Sequence, residues 1–429
     1  MSLSSRDKKV IWHPYTQMKT AADSIAIVKG EGVYLYDENG NKYIDAVSSW
    51  WVNIHGHSHP YIAKKVAEQA GILEHVIFAG FTHEPAIELA ERLLPLLPGN
   101  QNKIFYSDDG STAVEVAIKM ALQYWSNQGI KKTKILAFEH SYHGDTFGSM
   151  SVSARSSFTA PFNDFLFDVI HIPLPTKGKE MNTIAILDNL LNNHKDSFAA
   201  FIFEPLILGA GGMLMVEPDV LDVLINKCQD AGIITIADEV MTGFGRTGKL
   251  FACNHLSNHP DIFCLSKGIT GGTMALGVTS CNEKIHDAFL SDDKAKTLFH
   301  GHSFTANPIA CAAANASLDL LLNDTTQSNM IHINKQQLMF MDKMKGHAAL
   351  EDCRCIGTIL AMDIRTTEKT SYFNTLRDEM YSYFLNKGIL LRPLGNTLYI
   401  MPPYCITDEE LQYIYDCILV FCDDLIDKK

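Results

Sequence analysis

The sequence predicts an α/β protein with a mostly parallel sheet in a large domain and a smaller α+β domain. From about residue 60 onward, amphipathic helical patterns alternate with short apolar runs rich in β-branched and aromatic residues. This alternation is typical of β-α-β units, whose strands are parallel. The 429 residues are enough for about two or three domains.

The predicted strands are short, apolar and rich in residues that favour β structure. They cover residues 103–106, 135–138, 200–203, 233–236 and 263–265. Runs as apolar as these are typical of strands that are buried on both faces of a parallel sheet. The predicted helices cover residues 62–68, 85–97, 114–125 and 306–322.

The two ends of the chain are predicted to form the smaller domain together. Residues 24–47 have the pattern of a short antiparallel meander. Residues 332–345 have a helical pattern, and strands are predicted at residues 358–364 and 398–401. We therefore assign residues 1–49 and 326–429 to the small domain and residues 50–325 to the large domain.

Charge and composition exclude several classes of protein. The formal net charge is −13, and no cluster of basic residues is visible, which argues against a nucleic-acid partner. Residues 1–9 are polar and charged, and no uncharged apolar run reaches the roughly 18 residues of a membrane span. We expect a cytoplasmic protein that does not interact with membranes.

Cysteine and histidine patterns do not indicate a metal centre. The ten cysteines lie between Cys228 and Cys422 without the paired spacing of a zinc site, so we expect reduced thiols. The alternating His55, His57 and His59 would share one face only in a regular strand, and they have no carboxylate or cysteine close by in sequence. We predict a loop beside the functional site and no bound metal.

Lys267 and Asp238 are the strongest candidates for chemistry. Each follows an apolar predicted strand, and the carboxyl ends of parallel strands meet at one edge of a sheet. A buried lysine loses its proton easily and can condense with an aldehyde. An aspartate at this edge can keep a pyridine nitrogen protonated. Together the two residues predict pyridoxal phosphate chemistry.

A candidate phosphate site lies where the strand at 103–106 gives way to a helix. Gly110, Ser111 and Thr112 open that helix, and backbone N–H groups at a helix start bind anions. The alternative is an N-capping segment, because small polar residues cap helices in any case.

Two more residues follow predicted strands at the same edge. Tyr142 could stack on a planar cofactor ring or could serve only in packing. Glu204 comes directly before Pro205, and a flexible glycine-rich loop lies shortly after it. It is either an acid that supports the site or a solvated strand end.

These segments together resemble the class III aminotransferases, which are fold-type I pyridoxal phosphate enzymes. The resemblance covers essentially the whole chain and is carried by Gly110–Thr112, Tyr142–Gly144, Asp238–Val240, Gly243–Gly248, Ser266–Gly268 and His300–Phe304. It implies that Lys267, Asp238 and Tyr142 are the catalytic group and that Lys267 carries the cofactor. The implied cofactor-binding residues are Gly110, Ser111, Thr112, Tyr142, Glu204, Asp238, Lys267, His302 and Ser303.

A narrower resemblance is to the members of this family that act in biotin biosynthesis. It is carried by Trp12–Gln17, Ser48–Trp51, Tyr142–Asp145, Arg392-Pro393 and Tyr399–Tyr404. It implies transfer of an amino group from S-adenosylmethionine to 8-amino-7-oxononanoate. In such an enzyme Tyr15 and Trp50 would hold the apolar chain of the keto acid and Arg392 its carboxylate. The other implied substrate-binding residues are Trp51, Tyr142, Lys267, Gly301 and Tyr399.

This chain departs from the pattern of that family at two places. His302 and Ser303 stand where better-known members have proline and threonine, and Leu208 replaces a glutamine. Ser303 keeps the hydroxyl that is expected to reach the phosphate of a partner subunit, so the resemblance also implies a homodimer. Members with a similar loop are thought to use lysine as amino donor, which leaves the donor open.

Two other functions remain open from the sequence. One is a class III transaminase that acts on ornithine, 4-aminobutyrate or a related ω-amine. The other is a regulator that binds pyridoxal phosphate without catalysis. The Trp50-Trp51 pair argues against the first, and the intact Asp238 and Lys267 argue against the second.

Overall fold

The computed structural model describes residues 1–367 and 374–427. The strands are β1 (Ile27–Glu31), β2 (Tyr34–Asp37), β3 (Lys42–Asp45), β4 (Gln101–Ser107), β5 (Lys134–Phe138), β6 (Val169–Ile172), β7 (Phe198–Phe203), β8 (Ile207–Leu208), β9 (Leu214–Met215), β10 (Ile234–Asp238), β11 (Ile262–Leu265), β12 (Gly277–Asn282), β13 (Leu350–Ile356), β14 (Ile359–Ile364), β15 (Ile389–Leu390) and β16 (Thr397–Ile400).

Helices lie between most of these strands. They are α1 (Leu3–Val10), α2 (Ser48–Trp51), α3 (Pro60–Ala70), α4 (Glu84–Leu93), α5 (Gly110–Asn127), α6 (Phe147–Val152), α7 (Glu180–His194), α8 (Pro218–Asp230), α9 (Glu283–Asp287), α10 (Pro308–Leu321), α11 (Asp324–Met344), α12 (Thr375–Asn386) and α13 (Asp408–Asp427). Short 3₁₀ turns lie at Leu94–Leu96, Ala160–Phe165, Lys195–Ser197, Ala252–His255, Lys267–Thr270 and Lys294–Lys296.

A seven-stranded sheet of order β4-β12-β11-β10-β7-β5-β6 forms the centre of the protein. The pairs β11-β10, β10-β7, β7-β5 and β5-β6 are parallel, which confirms the predicted mostly parallel sheet. Strand β12 runs antiparallel to both of its neighbours and was not among the predicted strands. Its six residues are all buried, as expected for a strand between two others in a covered sheet.

The hydrophobic pattern explains why the sheet and its helices pack as they do. All six residues of β7 are buried, so both faces of this inner strand are covered. Helix α5 buries a mostly apolar face, including Ala113, Val116 and Ala117, and it lies against β11 and β12. The predicted long helix at 306–322 is confirmed as α10, which begins after the side chain of Asn307 caps its first turn. Helices α7, α8, α12 and α13 are absent from the predicted elements.

Two smaller sheets lie outside the central one. The predicted N-terminal meander is confirmed as β1-β2-β3, and β15 from the C-terminal part joins it in parallel, with Ile389 opposite Ile44 and Leu390 opposite Asp45. Strands β13, β14 and β16 form an antiparallel sheet of their own. The pairing of β3 with β15 brings the two ends of the chain together. The domain boundaries at 49 and 325 stay a prediction.

The three alternating histidines have separate partners. His55 Nε2 lies 3.0 Å from the hydroxyl of Ser317, and His57 Nε2 lies 2.9 Å from a carboxylate oxygen of Asp45. His59 caps the start of α3 with its ring nitrogen. Across the part of the chain that the structure describes, no three His, Cys, Asp or Glu side chains are grouped as a metal site requires. Over the same residues, no helix combines the length and apolarity of a membrane span.

Candidate active site

Asp238 and Lys267 lie side by side at the carboxyl edge of the central sheet. Asp238 is the last residue of β10 and pairs with Cys264 of the parallel strand β11. Lys267 follows the end of β11 by two residues and has a left-handed backbone with φ of 47°. A non-glycine residue in this conformation is strained, and such strain is concentrated at functional sites. The register of two neighbouring strands thus places both predicted residues together.

The amine of Lys267 is surrounded by protein, although the residue as a whole is partly exposed. Burial, with a smaller contribution from the charge of Arg246, lowers its pKa to about 8, although the carboxylates of Asp238 and Glu204 oppose the shift. Its Nζ lies 4.6 Å from the centre of the Trp51 ring. A lysine with a lowered pKa has more free amine near neutral pH and is a better nucleophile.

Asp238 is held by a buried hydrogen bond to His143. His143 Nδ1 lies 2.7 Å from Oδ2 of Asp238, and the backbone N–H of Val240 donates to Oδ1 at 3.1 Å. The His143 side chain is fully buried, and its Nε2 has no hydrogen-bond partner within the described residues. These contacts orient the carboxylate and stabilise its charge. Sequence reasoning assigned no role to His143, although it directly follows Tyr142.

Glu204 is buried, so the alternative of a solvated strand end is wrong. Its carboxylate accepts hydrogen bonds from the backbone N–H groups of Tyr142, at 3.0 Å, and Gly209, at 2.9 Å. Burial, with a smaller contribution from the nearby Asp238, raises the pKa of this carboxyl group to about 7, although His143 and the two N–H groups oppose the shift. Glu204 thus fixes two loops beside the lysine.

The start of helix α5 matches the predicted anion site. Asp109 and Thr112 form a capping box. The side chains of these two residues thus cap the helix, which was the alternative to phosphate binding. The first amides of a helix, here those of Gly110 and Ser111, have no acceptor within the helix. The Ser111 hydroxyl lies 2.8 Å from that of Thr146 and accepts a hydrogen bond from the Thr146 amide at 3.0 Å. The arrangement suits an anion held by backbone N–H groups.

Tyr142 and Tyr15 form an aromatic wall of the cleft. Burial raises the pKa of the Tyr142 hydroxyl, and the nearby Asp145 and Tyr15 add to this effect. Tyr15 donates a hydrogen bond of 2.6 Å to Asp145, and its ring centre lies 5.7 Å from that of Trp50. The structure therefore brings together Tyr15, Tyr142 and Trp50, which are far apart in sequence.

The two tryptophans of the tandem have different surroundings. Trp50 is 38% exposed, and the guanidinium carbon of Arg392 lies 4.4 Å from the centre of its ring. Trp51 is only 4% exposed, and its Nε1 donates a hydrogen bond of 2.9 Å to the hydroxyl of Tyr399. Trp50 and Arg392 are thus accessible to a substrate, whereas Trp51 and Tyr399 support the site from the inside.

The loop with Gly301, His302 and Ser303 makes its contacts next to the start of helix α5, through Asp108. His302 contacts His300, with their Nε2 atoms 2.9 Å apart, and Asp108, with Nδ1 and Oδ2 3.2 Å apart. Gly301 and Ser303 are exposed. Within the described ranges, no hydrogen bond or ion pair of this loop reaches Lys267 or Asp238. The contacts of the described chain thus do not link these three residues to its own Lys267.

Arg246 is a buried charge that sequence reasoning did not single out. It is 1% exposed and donates hydrogen bonds to the carbonyl oxygens of Pro402, at 2.9 Å, and Trp51, at 3.3 Å. Burial lowers the pKa of its guanidinium group. The only sequence signal was its place in the glycine-rich segment Gly243–Gly248.

The groups at this edge fit pyridoxal phosphate. Lys267 supplies an amine for its aldehyde, Asp238 a carboxylate for its ring nitrogen, and the start of α5 a site for its phosphate. The buried Nε2 of His143, which lacks a partner among the described residues, is a further polar atom available at this site. The donor set of the chain thus matches each chemical group of this cofactor.

Comparison with known proteins agrees with this geometry. The family description "Aminotransferase class-III" matches residues 16–420. An adenosylmethionine-8-amino-7-oxononanoate aminotransferase from Synechococcus elongatus is 46% identical over 423 residues, which are 97% of this chain and 99% of that protein. The crystal structure of the enzyme of the same name from Methanocaldococcus jannaschii has a TM-score of 0.93 at 36% identity and covers 98% of both chains. An omega transaminase from Pseudomonas jessenii, in complex with PMP, has a TM-score of 0.93 at 26% identity and covers 99% of this chain and 98% of its own.

The chain therefore belongs to the class III aminotransferases. Its fold is the fold-type I architecture of these enzymes, as predicted. It is an enzyme that transfers amino groups with pyridoxal phosphate as its cofactor. The alternative of a regulator without catalysis is therefore wrong.

The lowered pKa of Lys267 predicts its reactivity in the cofactor-free protein. Carbamylation of Lys267 by cyanate should reach half of its maximal rate near pH 8, because burial lowers the pKa of this amine to about 8. An ordinary lysine reaches this point near about pH 10.4. Peptide mass spectrometry over a pH series measures the rate at each lysine. A midpoint for Lys267 at the ordinary value would contradict the electrostatics described here.

Proposed function

We propose that this enzyme transfers an amino group from S-adenosylmethionine to 8-amino-7-oxononanoate, giving 7,8-diaminononanoate for biotin biosynthesis. The observation that carries the proposal is the pairing of Arg392 with the exposed Trp50 beside Tyr15. This combination suits an acceptor with a carboxylate at the end of a long apolar chain. The names of the relatives from Synechococcus elongatus and Methanocaldococcus jannaschii support the same pair of substrates.

The residues around Lys267 divide the chemistry between them. When bound, pyridoxal phosphate supplies an aldehyde that takes up an amino group and a ring that withdraws electrons from the carbon beside the nitrogen. Lys267 would hold the cofactor covalently, and its free amine would move the proton at the carbon beside the transferred nitrogen. Asp238, oriented by His143, would keep the ring nitrogen protonated. Tyr142 would cover the ring, and Gly110 and Ser111 would bind the phosphate.

The substrate side of the cleft suits an elongated keto acid. Arg392 binds the carboxylate through the bidentate geometry that guanidinium groups favour. Trp50 and Tyr15 cover the apolar chain, because both rings are partly exposed at the mouth of the cleft. Trp51 and Tyr399 keep the inner wall in place through their hydrogen bond.

We also propose that the enzyme is a homodimer with its active sites at the subunit interface. Ser303 is exposed and makes no hydrogen bond to Lys267 or Asp238 among the described residues, so we propose that its hydroxyl reaches the phosphate of the partner. Exposed aromatic side chains flank this loop, with Phe299 68% and Phe304 61% exposed. Large exposed apolar groups of this kind mark protein interfaces. The net charge of −13 suits a cytoplasmic enzyme that does not bind nucleic acid.

Mixing the cofactor-loaded protein separately with S-adenosylmethionine and with lysine tests the proposed donor. The absorbance band of the bound cofactor should bleach with S-adenosylmethionine, because the amino group of the true donor passes to the cofactor in the first half-reaction. Bleaching by lysine alone would keep the acceptor and change the donor. No bleaching by either compound would favour another ω-amino acid transaminase.

Lys267→Ala is the control for this experiment. This variant should bind the cofactor without covalent attachment and show no turnover, because the group that moves the proton is missing. Normal turnover by Lys267→Ala would contradict the assignment of the site.

Arg392→Ala should raise KM for the keto acid by roughly tenfold to hundredfold, since a hydrogen-bonded charge pair is lost. The KM for the amino donor of the first half-reaction should change much less. Arg365→Ala, a change at an exposed arginine outside the cleft, is the matched control. Steady-state kinetics with both substrates varied measures these constants. An unchanged KM for the keto acid would remove Arg392 from this role.

The proposed homodimer predicts a mass in sedimentation equilibrium of twice the chain mass of 47.7 kDa. Replacing both flanking aromatics, as Phe299→Asp with Phe304→Asp, should weaken the dimer and lower activity together. A fully active monomer would contradict the proposal that Ser303 acts across the interface.

A further inference from the structure

The short element α2 (Ser48–Trp51), which carries the tandem tryptophans, has the backbone of a tight turn rather than of a regular α-helix. Four successive residues without glycine have positive φ values, which are 50° at Ser48, 58° at Ser49, 140° at Trp50 and 73° at Trp51. Residues with a side chain rarely adopt this region, and each such residue costs free energy. The surrounding structure must therefore hold the turn in place.

The carboxylate of Asp45 provides the central contacts. One oxygen accepts the backbone N–H groups of Val47, at 3.3 Å, and Ser49, at 2.9 Å. The other oxygen accepts the Ser49 hydroxyl at 2.7 Å and lies 2.9 Å from Nε2 of His57. The Asp45 side chain is fully buried, so these four contacts replace its hydration. Hydrogen bonds to a charged acceptor are the stronger kind.

Further contacts hold the turn from the side of the C-terminal strands and the central sheet. The Ser48 hydroxyl donates to the carbonyl oxygen of Met401 at 2.7 Å. Arg246 donates to the carbonyl oxygen of Trp51, and the Trp51 ring donates to Tyr399. Asp45 is the only carboxylate among the partners of the turn in the described part of the chain.

The turn directs two neighbouring rings at two different cations. The Trp50 ring lies under the guanidinium of Arg392 at 4.4 Å, and the Trp51 ring lies under the amine of Lys267 at 4.6 Å. The face of an indole ring attracts a cation electrostatically. A single turn thus contacts both Arg392, which would bind the acceptor carboxylate, and Lys267, which would hold the cofactor.

We propose that Asp45 is a positioning residue for Lys267 and Arg392, acting through the turn Ser48–Trp51. Its carboxylate holds the strained backbone, and the backbone places one tryptophan ring against each cation. The proposal rests on the proposed function only in assigning Arg392 to the acceptor carboxylate. The placement of Lys267 can be tested without substrate.

Asp45→Asn keeps the shape of the side chain and removes its charge, and Asp37→Asn is the matched control. Asp37 is another buried aspartate of the same meander, and it accepts hydrogen bonds from the backbone N–H groups of Asn39 and Asn41. It has no contact with the tryptophan turn among the described residues. The Ser49→Ala variant removes one of the four contacts of Asp45 and serves if Asp45→Asn does not fold.

The first measurement is the carbamylation rate of Lys267 by cyanate at pH 7 in the cofactor-free full chain. The rate should differ from the wild-type rate by roughly threefold or more in Asp45→Asn, because displacement of the Trp51 ring changes both the access of cyanate to the amine and the stabilisation of its charge. Lys132 is the internal reference, since its Nζ lies 3.8 Å from the centre of the Trp125 ring, outside the active site. Its rate should be the same in all variants.

The second measurement is the KM for the keto acid in the cofactor-loaded enzyme. It should rise in Asp45→Asn and stay at the wild-type value in Asp37→Asn, because only the first change moves Trp50 away from Arg392. A changed rate at Lys267 together with an unchanged KM would confine the role of Asp45 to the lysine and overturn its role at Arg392. Equal carbamylation rates at Lys267 in the wild type, Asp45→Asn and Ser49→Ala would overturn the proposal. A change of rate at Lys132 as large as the change at Lys267 would overturn it too.

Discussion

The parallel pairing of β10 with β11 is the constraint on which the site depends. It fixes Asp238 opposite Cys264, and the chain needs only two residues after β11 to bring Lys267 alongside. Both strands are buried completely, so neither can slip by a residue without moving its apolar side chains to the wrong face. The distance between the amine and the carboxylate is thus determined by the packing of the core.

A buried edge of this kind must stabilise several charges at once. Asp238 and Glu204 are acidic, Lys267 and Arg246 are basic, and the charges of the other three groups all act on the pKa of Lys267. Backbone N–H groups, His143 and carbonyl oxygens supply the hydrogen bonds that replace water around them. Burial of an unpaired charge is costly, and this network of opposite charges reduces the cost. The shifted pKa of Lys267 is a product of the same burial.

Local patterns predict the parts of the fold that depend on nearby residues. Strands such as β7 and the position of Lys267 after β11 could be predicted because an apolar run and its end are visible in the sequence. Strand β12 could not be predicted, since its residues Gly277–Asn282 are mostly small or polar and lack the apolar run that marks a buried strand. The hydrogen bond between Asp238 and His143 could not be predicted either, because the two residues are 95 positions apart in the sequence. The left-handed turn at Ser48–Trp51 contains no glycine, so the sequence signal that usually marks such a backbone is missing.

The parallel pairing of β3 with β15 also has a consequence for how the protein folds. Two strands from opposite ends of the described chain must meet before Asp45 and Arg392 can lie on either side of Trp50. Contacts between residues so distant in sequence form slowly, because a long loop must close first. During synthesis on the ribosome, the central sheet can begin to assemble while the acceptor side of the cleft is still incomplete. Substrate binding would then be the last property that a newly made chain acquires.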